Sequence, residues 1–406
     1  MRGFKTKTLA GLKWLYTPAN ALPICLAAGF LLPGNAAWST FFYIVGWPTA
    51  ALGVWKGWRP ERSNRAVIAL LALWGWSSLG LLWGERAPHG GGYIYWLLSS
   101  VSTLSLVLIF LMALQATPKV RERVIGAIVW SATIAVIWSL GLSAYTHESG
   151  MNLVRWGALH LPVLGAACVV MCILLALSCV ARGQLYYLVA LVPLLVYLPF
   201  NISRMAFLVL LCGLVVVVFG NRKASFYLFC AVMALCGTLG LLYALHFGPL
   251  DGFISTALVR GSDCHVTIWR TGWAFFLKQP LLGYGPAMRL PIQPDGYCPA
   301  YPGPHDIYLS LLLYSGLVGF VLFWLCQIAA LQRLWRLRAG LQRQFDLALM
   351  SVPLLAGLTD LNHIIKGPSP VWYIIWLPLL LIASLPEPVP ELSDRFPASS
   401  ALPPHG

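Results

Sequence analysis

Residues 304–330 read PHDIYLSLLLYSGLVGFVLFWLCQIAA. From His305 to Ala330 the run is long and apolar enough to cross a bilayer as a helix, which takes about 20 residues. Between Gly248 and Gly303 lies a polar, aromatic and proline-rich segment that breaks an otherwise membrane-like sequence. The junction therefore delivers a histidine and an aspartate to the edge of a membrane helix.

The rest of the chain has the same greasy character. Hydrophobic residues make up 59% of it and charged residues 10%, outside the usual soluble range. Apolar runs suggest spans near 17–33, 37–55, 66–84, 94–115, 124–144, 156–181, 185–201, 205–220, 225–246, 305–330, 345–361 and 371–386. The expected fold is all-α, a polytopic integral membrane protein of about 12 transmembrane helices. Spans 1–9 fill 1–246, a periplasmic loop fills 247–304, and spans 10–12 fill 305–386. Residues 387–406 form a Pro- and Ser-rich cytoplasmic tail with the composition of a disordered segment. Asn20 to Trp55 reads as a hairpin of spans rather than a cleavable signal peptide.

A net charge of +14 invites a nucleic-acid partner, but the distribution argues against one. Nineteen of the 27 Lys and Arg residues fall on one side if the spans alternate. They include Lys56, Arg65, Arg121, Arg182, Arg333 and Arg343. This is the positive-inside pattern, and it puts both termini in the cytoplasm. Orientation and anionic lipid account for these residues. The other side carries Arg86, Arg155, Arg204, Arg260, Arg270, Lys278, Arg289 and Lys366. Orientation disfavours cations there, so each invites a specific role.

Eight of ten cysteines lie inside spans as small packing residues. Cys264 and Cys298 lie in the long loop, where an oxidising compartment would allow a disulfide that spacing alone leaves open. No CxxC pair, His/Cys cluster or Gly-rich nucleotide loop occurs, so no metal, cofactor or bound ATP is expected.

Val266 to Lys278, VTIWRTGWAFFLK, places Val266, Trp269, Trp273, Phe276 and Leu277 at helical spacing. An interfacial amphipathic helix is expected, stopped by Pro280 and followed by a tight Gly283-Tyr284-Gly285-Pro286 turn. Pro304 suits a first helical turn, and the N–H groups and dipole there attract anions. The same dipole disfavours a protonated imidazole, which suits His305 as a neutral base. Asp306 is read either as a helix-start carboxylate or as a partner for that imidazole. Arg204, in Asn201-Ile202-Ser203-Arg204, is a costly cation at the outer boundary unless it snorkels or meets an anion. Its planar fork matches phosphate oxygens. Arg155 precedes Trp156 in a short outer loop. Asp360, in Thr359-Asp360-Leu361-Asn362-His363, is expected to pair with an arginine of this face.

These residues resemble the bacterial O-antigen ligase and polymerase family. The resemblance rests on Trp269 through Pro280-Leu281-Leu282-Gly283-Tyr284-Gly285, then His305-Asp306-Ile307-Tyr308-Leu309 and Gly316-Leu317-Val318-Gly319. Ser203-Arg204 matches the family's Ser-Arg element, and Met151 to Gly165 its earlier outer loop. The resemblance covers roughly 150–365. It implies a metal-independent glycosyltransferase acting on an undecaprenyl-diphosphate-linked glycan at the periplasmic face of the inner membrane. It implies His305 as the essential histidine and Arg204 as a diphosphate-binding arginine. Where the family carries a second arginine this chain has His265, and Arg270 stands beside Trp269, so either is open as the second phosphate contact. One long outer loop favours a ligase, with lipid A-core as acceptor, over a polymerase; a protein-glycan ligase stays open. A transporter of polysaccharide or carrier lipid is the alternative of another class, against which no repeated halves are seen.

Overall fold

A computed structural model of the protein describes residues 14–59, 64–84, 92–116, 119–147, 153–201, 203–219, 263–289, 303–336, 340–358 and 360–385. Within these residues the chain is helical, without strands. The helices are α1 (Pro18–Leu31), α2 (Asn35–Trp55), α3 (Arg65–Trp83), α4 (Tyr93–Ala116) and α5 (Lys119–Thr146). There follow α6 (Pro162–Ala181), α7 (Tyr187–Phe200), α8 (Arg204–Phe219) and α9 (Asp263–Lys278). The last are α10 (Ile307–Arg336), α11 (Leu341–Leu349), α12 (Ser351–Leu355) and α13 (Leu377–Ala383).

The helix starts follow from local chemistry. Pro18 and Pro162 open α1 and α6, where the missing N–H costs nothing. Asn64 caps α3, accepting from the Ala66 and Val67 amides at 3.1 and 3.3 Å. Its amide also donates to the Ala383 carbonyl at 2.7 Å, tying α3 to the end of α13.

Among the described residues, α3, α4, α5, α6 and α10 are long and apolar enough to cross a membrane. The shorter apolar helices are α1, α7, α8 and the segment Trp372–Ala383. The ninth expected span, 225–246, the Cys264–Cys298 side chains and the 387–406 tail lie outside what is described. The eleventh expected span, 345–361, is not one helix. It breaks at Met350 between α11 and α12, then tightens into a 3-10 turn, Ala356–Leu358. Pro353 has no N–H to return to the Leu349 carbonyl, so the ladder cannot run through. Trp372–Trp376 forms a π turn, and Pro378 likewise cannot donate back to Ile374.

α6 and the 371–383 segment form the buried centre. Trp38 stacks on Tyr373 with centroids 5.4 Å apart and meets Trp372 edge-on. Outside, Leu317, Val321, Leu325 and Ile328 of α10 are exposed at helical spacing, as are Ile134, Ile137 and Trp138 of α5. Such an apolar outer belt suits lipid and not water.

The helix ends gather at two poles. At one, Arg121 pairs with buried Asp346 at 2.7 Å and reaches the Leu381 carbonyl, while Arg333 bonds the Leu385 carbonyl. The opposite pole carries the 153–161 loop, the α7–α8 turn, α9, the start of α10 and the 360–370 segment.

Candidate active site

The site begins with a fault in α10. Gly316 has φ 63 and interrupts the helix, which frees backbone groups that a lipid environment would penalise. The Pro280–Pro286 loop takes them up. Tyr284 N–H donates to the Leu313 carbonyl at 2.7 Å, and Gly285 N–H to Tyr314 at 3.0 Å. Leu317 N–H returns to the Pro280 carbonyl at 2.8 Å. Trp76 Nε1 donates to the Ser315 carbonyl at 2.8 Å. A Cβ on Gly316 would collide with the Leu281 carbonyl, and one on Gly285 would come within 2.6 Å of the Gly80 carbonyl. The glycines thus let the loop wedge between α3 and α10.

α9 follows the expected 266–278 helix, beginning slightly earlier. Its apolar residues divide between two faces. Ile268 and Phe276 are buried with Leu309 and Leu313 of α10, while Trp273 and Leu277 face outward. Trp269 Nε1 donates to the Pro304 carbonyl at 3.1 Å. The helix is thereby anchored beside the histidine.

His305 precedes α10 rather than opening it, and Pro304 also lies outside the first turn. The helix cap is Asp306, whose Oδ1 accepts the Leu309 N–H at 2.7 Å. Burial raises the Asp306 carboxyl above its ordinary value, opposed by the Leu309 and Tyr308 amides. Of the two readings of Asp306, the cap is the one seen. The partner of the imidazole is Asp360: His305 Nδ1 lies 2.6 Å from Asp360 Oδ1. The expectation that Asp360 would pair with an arginine is corrected here. Two facing left-handed corners, His305 at φ 52 and Asp360 at φ 62, bring the groups together. Asp360 N–H donates to the His305 carbonyl at 2.8 Å, and His305 N–H donates to Asn362 Oδ1 at 2.7 Å. Left-handed non-glycine residues are strained and persist where surrounding bonds over-determine them.

The Ala356–Leu358 turn, just before Asp360, packs on both α8 and α10. Arg204 is the first residue of α8 and is exposed at this pole. Arg155 is half-buried, with Nε donating to Asn201 Oδ1 at 3.1 Å and Nη1 to the Leu153 carbonyl at 3.1 Å. Burial lowers its guanidinium from the ordinary value, opposed by Tyr197. Asn201 also donates to the Pro162 carbonyl at 2.6 Å. Arg155 is therefore fixed to the α7–α8 turn that carries Arg204. Arg270 is exposed on α9, and the His265 side chain lies outside the described residues. The structure thus joins His305 to Asp360, leaves Asp306 as the cap of α10, and joins Arg155 to the Arg204 turn.

Two features were not read from the sequence. Asn362 holds the His305 backbone, and its only signal was its place two residues after Asp360. A cavity of about 300 Å³ opens beside it, lined by Tyr95, Trp96, residues 286–289, Gly303, Asn362, His363 and Lys366. His363 is stacked on Tyr314 and met edge-on by Trp96, with both centroids 4.4 Å away.

Residues 188–324 match the family model described as O-antigen ligase. A protein of Pseudomonas aeruginosa described as an O-antigen ligase is 26% identical over 360 residues, covering 84% of this chain and 81% of its own. The family resemblance read from the motifs is shown by these matches, and the matched residues run from α7 through the loop into α10.

Proposed function

We propose that this protein, which carries the O-antigen ligase signature, is an O-antigen ligase of the bacterial inner membrane. It moves O-antigen glycan from undecaprenyl diphosphate to lipid A-core in lipopolysaccharide biosynthesis. The positive-inside charge pattern supports cytoplasmic termini and a periplasmic site.

The observation that carries the reading is the His305–Asp360 pair. A carboxylate oxygen accepts, so Nδ1 carries the hydrogen and Nε2 is the basic nitrogen. Nε2 takes the proton of an acceptor hydroxyl as that oxygen bonds to the anomeric carbon of the donor. The bond from that carbon to the diphosphate oxygen breaks, and its electron pair leaves with undecaprenyl diphosphate. A single direct displacement inverts the anomeric centre. The leaving group is already activated, so no nucleotide is consumed. Arg204 neutralises the charge that builds on the diphosphate, with Arg155 and either Arg270 or His265 as further contacts.

The test is transfer by purified protein in detergent, supplied with carrier-linked glycan and lipid A-core. Covalent product on lipid A-core is expected. Growth of the carrier-linked chain without that acceptor would instead mark a polymerase, and no covalent product in either case would favour transport.

A further inference from the structure

The cavity beside Asn362 has a composition that the transfer chemistry above does not use. Arg289 and Lys366 line it together with His363, and no Asp or Glu does so among the described residues. Asp360, the nearest acid in sequence, is turned to His305. Burial lowers the Lys366 ammonium from its ordinary value. Burial and then Lys366 hold the His363 imidazole well below its own. His160 is lowered by burial and by Lys366, against the Gly157 carbonyl. Three basic groups therefore line one cavity, with no acid among its described lining residues. Two of them, Arg289 and Lys366, are the right count to neutralise a dianion. Tyr95 and Trp96 supply an aromatic wall of the kind that takes the apolar face of a sugar ring.

We infer that this cavity is the acceptor subsite and that it holds a phosphate monoester on the acceptor saccharide. The inference rests on the ligase reading. None of Arg155, Arg204 and Arg270, the described cations assigned to the donor diphosphate, lines the cavity. Asn362 joins the two regions: it lines the cavity and holds the His305 backbone. An acceptor anchored there lies on the base's side of the reaction, as proton removal from the acceptor requires.

The experiment compares lipid A-core with and without its sugar phosphates, using the full-length protein. Lys366→Gln and Arg289→Gln should each lower kcat/KM for the phosphorylated acceptor by about tenfold or more, and Lys366→Arg should restore much of it. The loss should fall on acceptor KM, and the variants should lose nothing further when the acceptor is dephosphorylated. Equal losses with both acceptors overturn the inference. A rise in KM for the undecaprenyl-diphosphate-linked donor assigns the cavity to the donor and also overturns it. Direct binding of the phosphorylated saccharide needs no transfer. Phosphate- and Lys366-dependent binding without transfer leaves the subsite standing and removes the ligase reading. Transfer together with phosphate-indifferent binding removes the subsite alone.

Discussion

His305 Nδ1 and Asp360 Oδ1 lie 2.6 Å apart, although 55 positions separate them in the chain. A second bond between the same residues, Asp360 N–H to the His305 carbonyl, fixes the backbones that carry them. The side-chain contact is therefore held from both ends.

Asp360→Asn keeps the shape but replaces an obligate acceptor with an amide that can present N–H to Nδ1. The tautomer would then be wrong for a base at Nε2. We expect kcat to fall by roughly 10²–10⁴, with donor KM near wild type. Steady-state transfer assays check this, and a near-wild-type kcat would remove Asp360 from the mechanism.

Arg204 opens α8 beside the turn that Arg155 and Asn201 fasten. Arg204→Ala should raise the KM for carrier-linked donor by roughly tenfold or more. Arg204→Lys should recover little, because an ammonium lacks the two-pronged fork. Unchanged donor KM in both variants would place the diphosphate elsewhere.

Gly316→Ala should destabilise the fold. Its φ of 63 alone sets a cost of about 1–3 kcal/mol for a side chain, and the Leu281 carbonyl occupies the space. Gly75 of α3 faces open space, so Gly75→Ala should be silent or slightly stabilising. Thermal unfolding in detergent compares the two; equal Tm values would contradict the wedged loop.

The Asp306 carboxyl is raised by burial, which fixes the sign of its pH effect. Between its unfolded and folded values the native state holds the extra proton, so stability falls as pH rises through that window. Asp306→Asn should keep the cap, since Asn serves as well as Asp, and should flatten this slope. Unfolding midpoints measured across the acid range check it. A slope identical to wild type would show that Asp306 does not titrate there.

Much of this was legible in the sequence, for identifiable reasons. Apolar runs predict helices in lipid because the backbone has no other way to satisfy itself, so α3 to α6 and α10 fall where expected. The amphipathic spacing of Trp269, Trp273 and Phe276 announced α9. The motif order points to His305 and Arg204 as the candidates. What stayed hidden depends on chain reversal. The sequence could not show that Asp360 faces His305, because the pairing needs two left-handed corners at non-glycine residues. Asp346 reads as a polar residue in a span, and only packing reveals Arg121 as its partner. The break at Met350 has a signal in Pro353, but the apolar run around it reads as one continuous span.

The most direct test of the account replaces the base. Purified wild type and His305→Ala are compared for transfer of carrier-linked glycan to lipid A-core in detergent, with size exclusion and Tm confirming that both are folded. The account predicts product with the wild type and none above background with the variant. Folded His305→Ala that transfers glycan at a near-wild-type rate would contradict it.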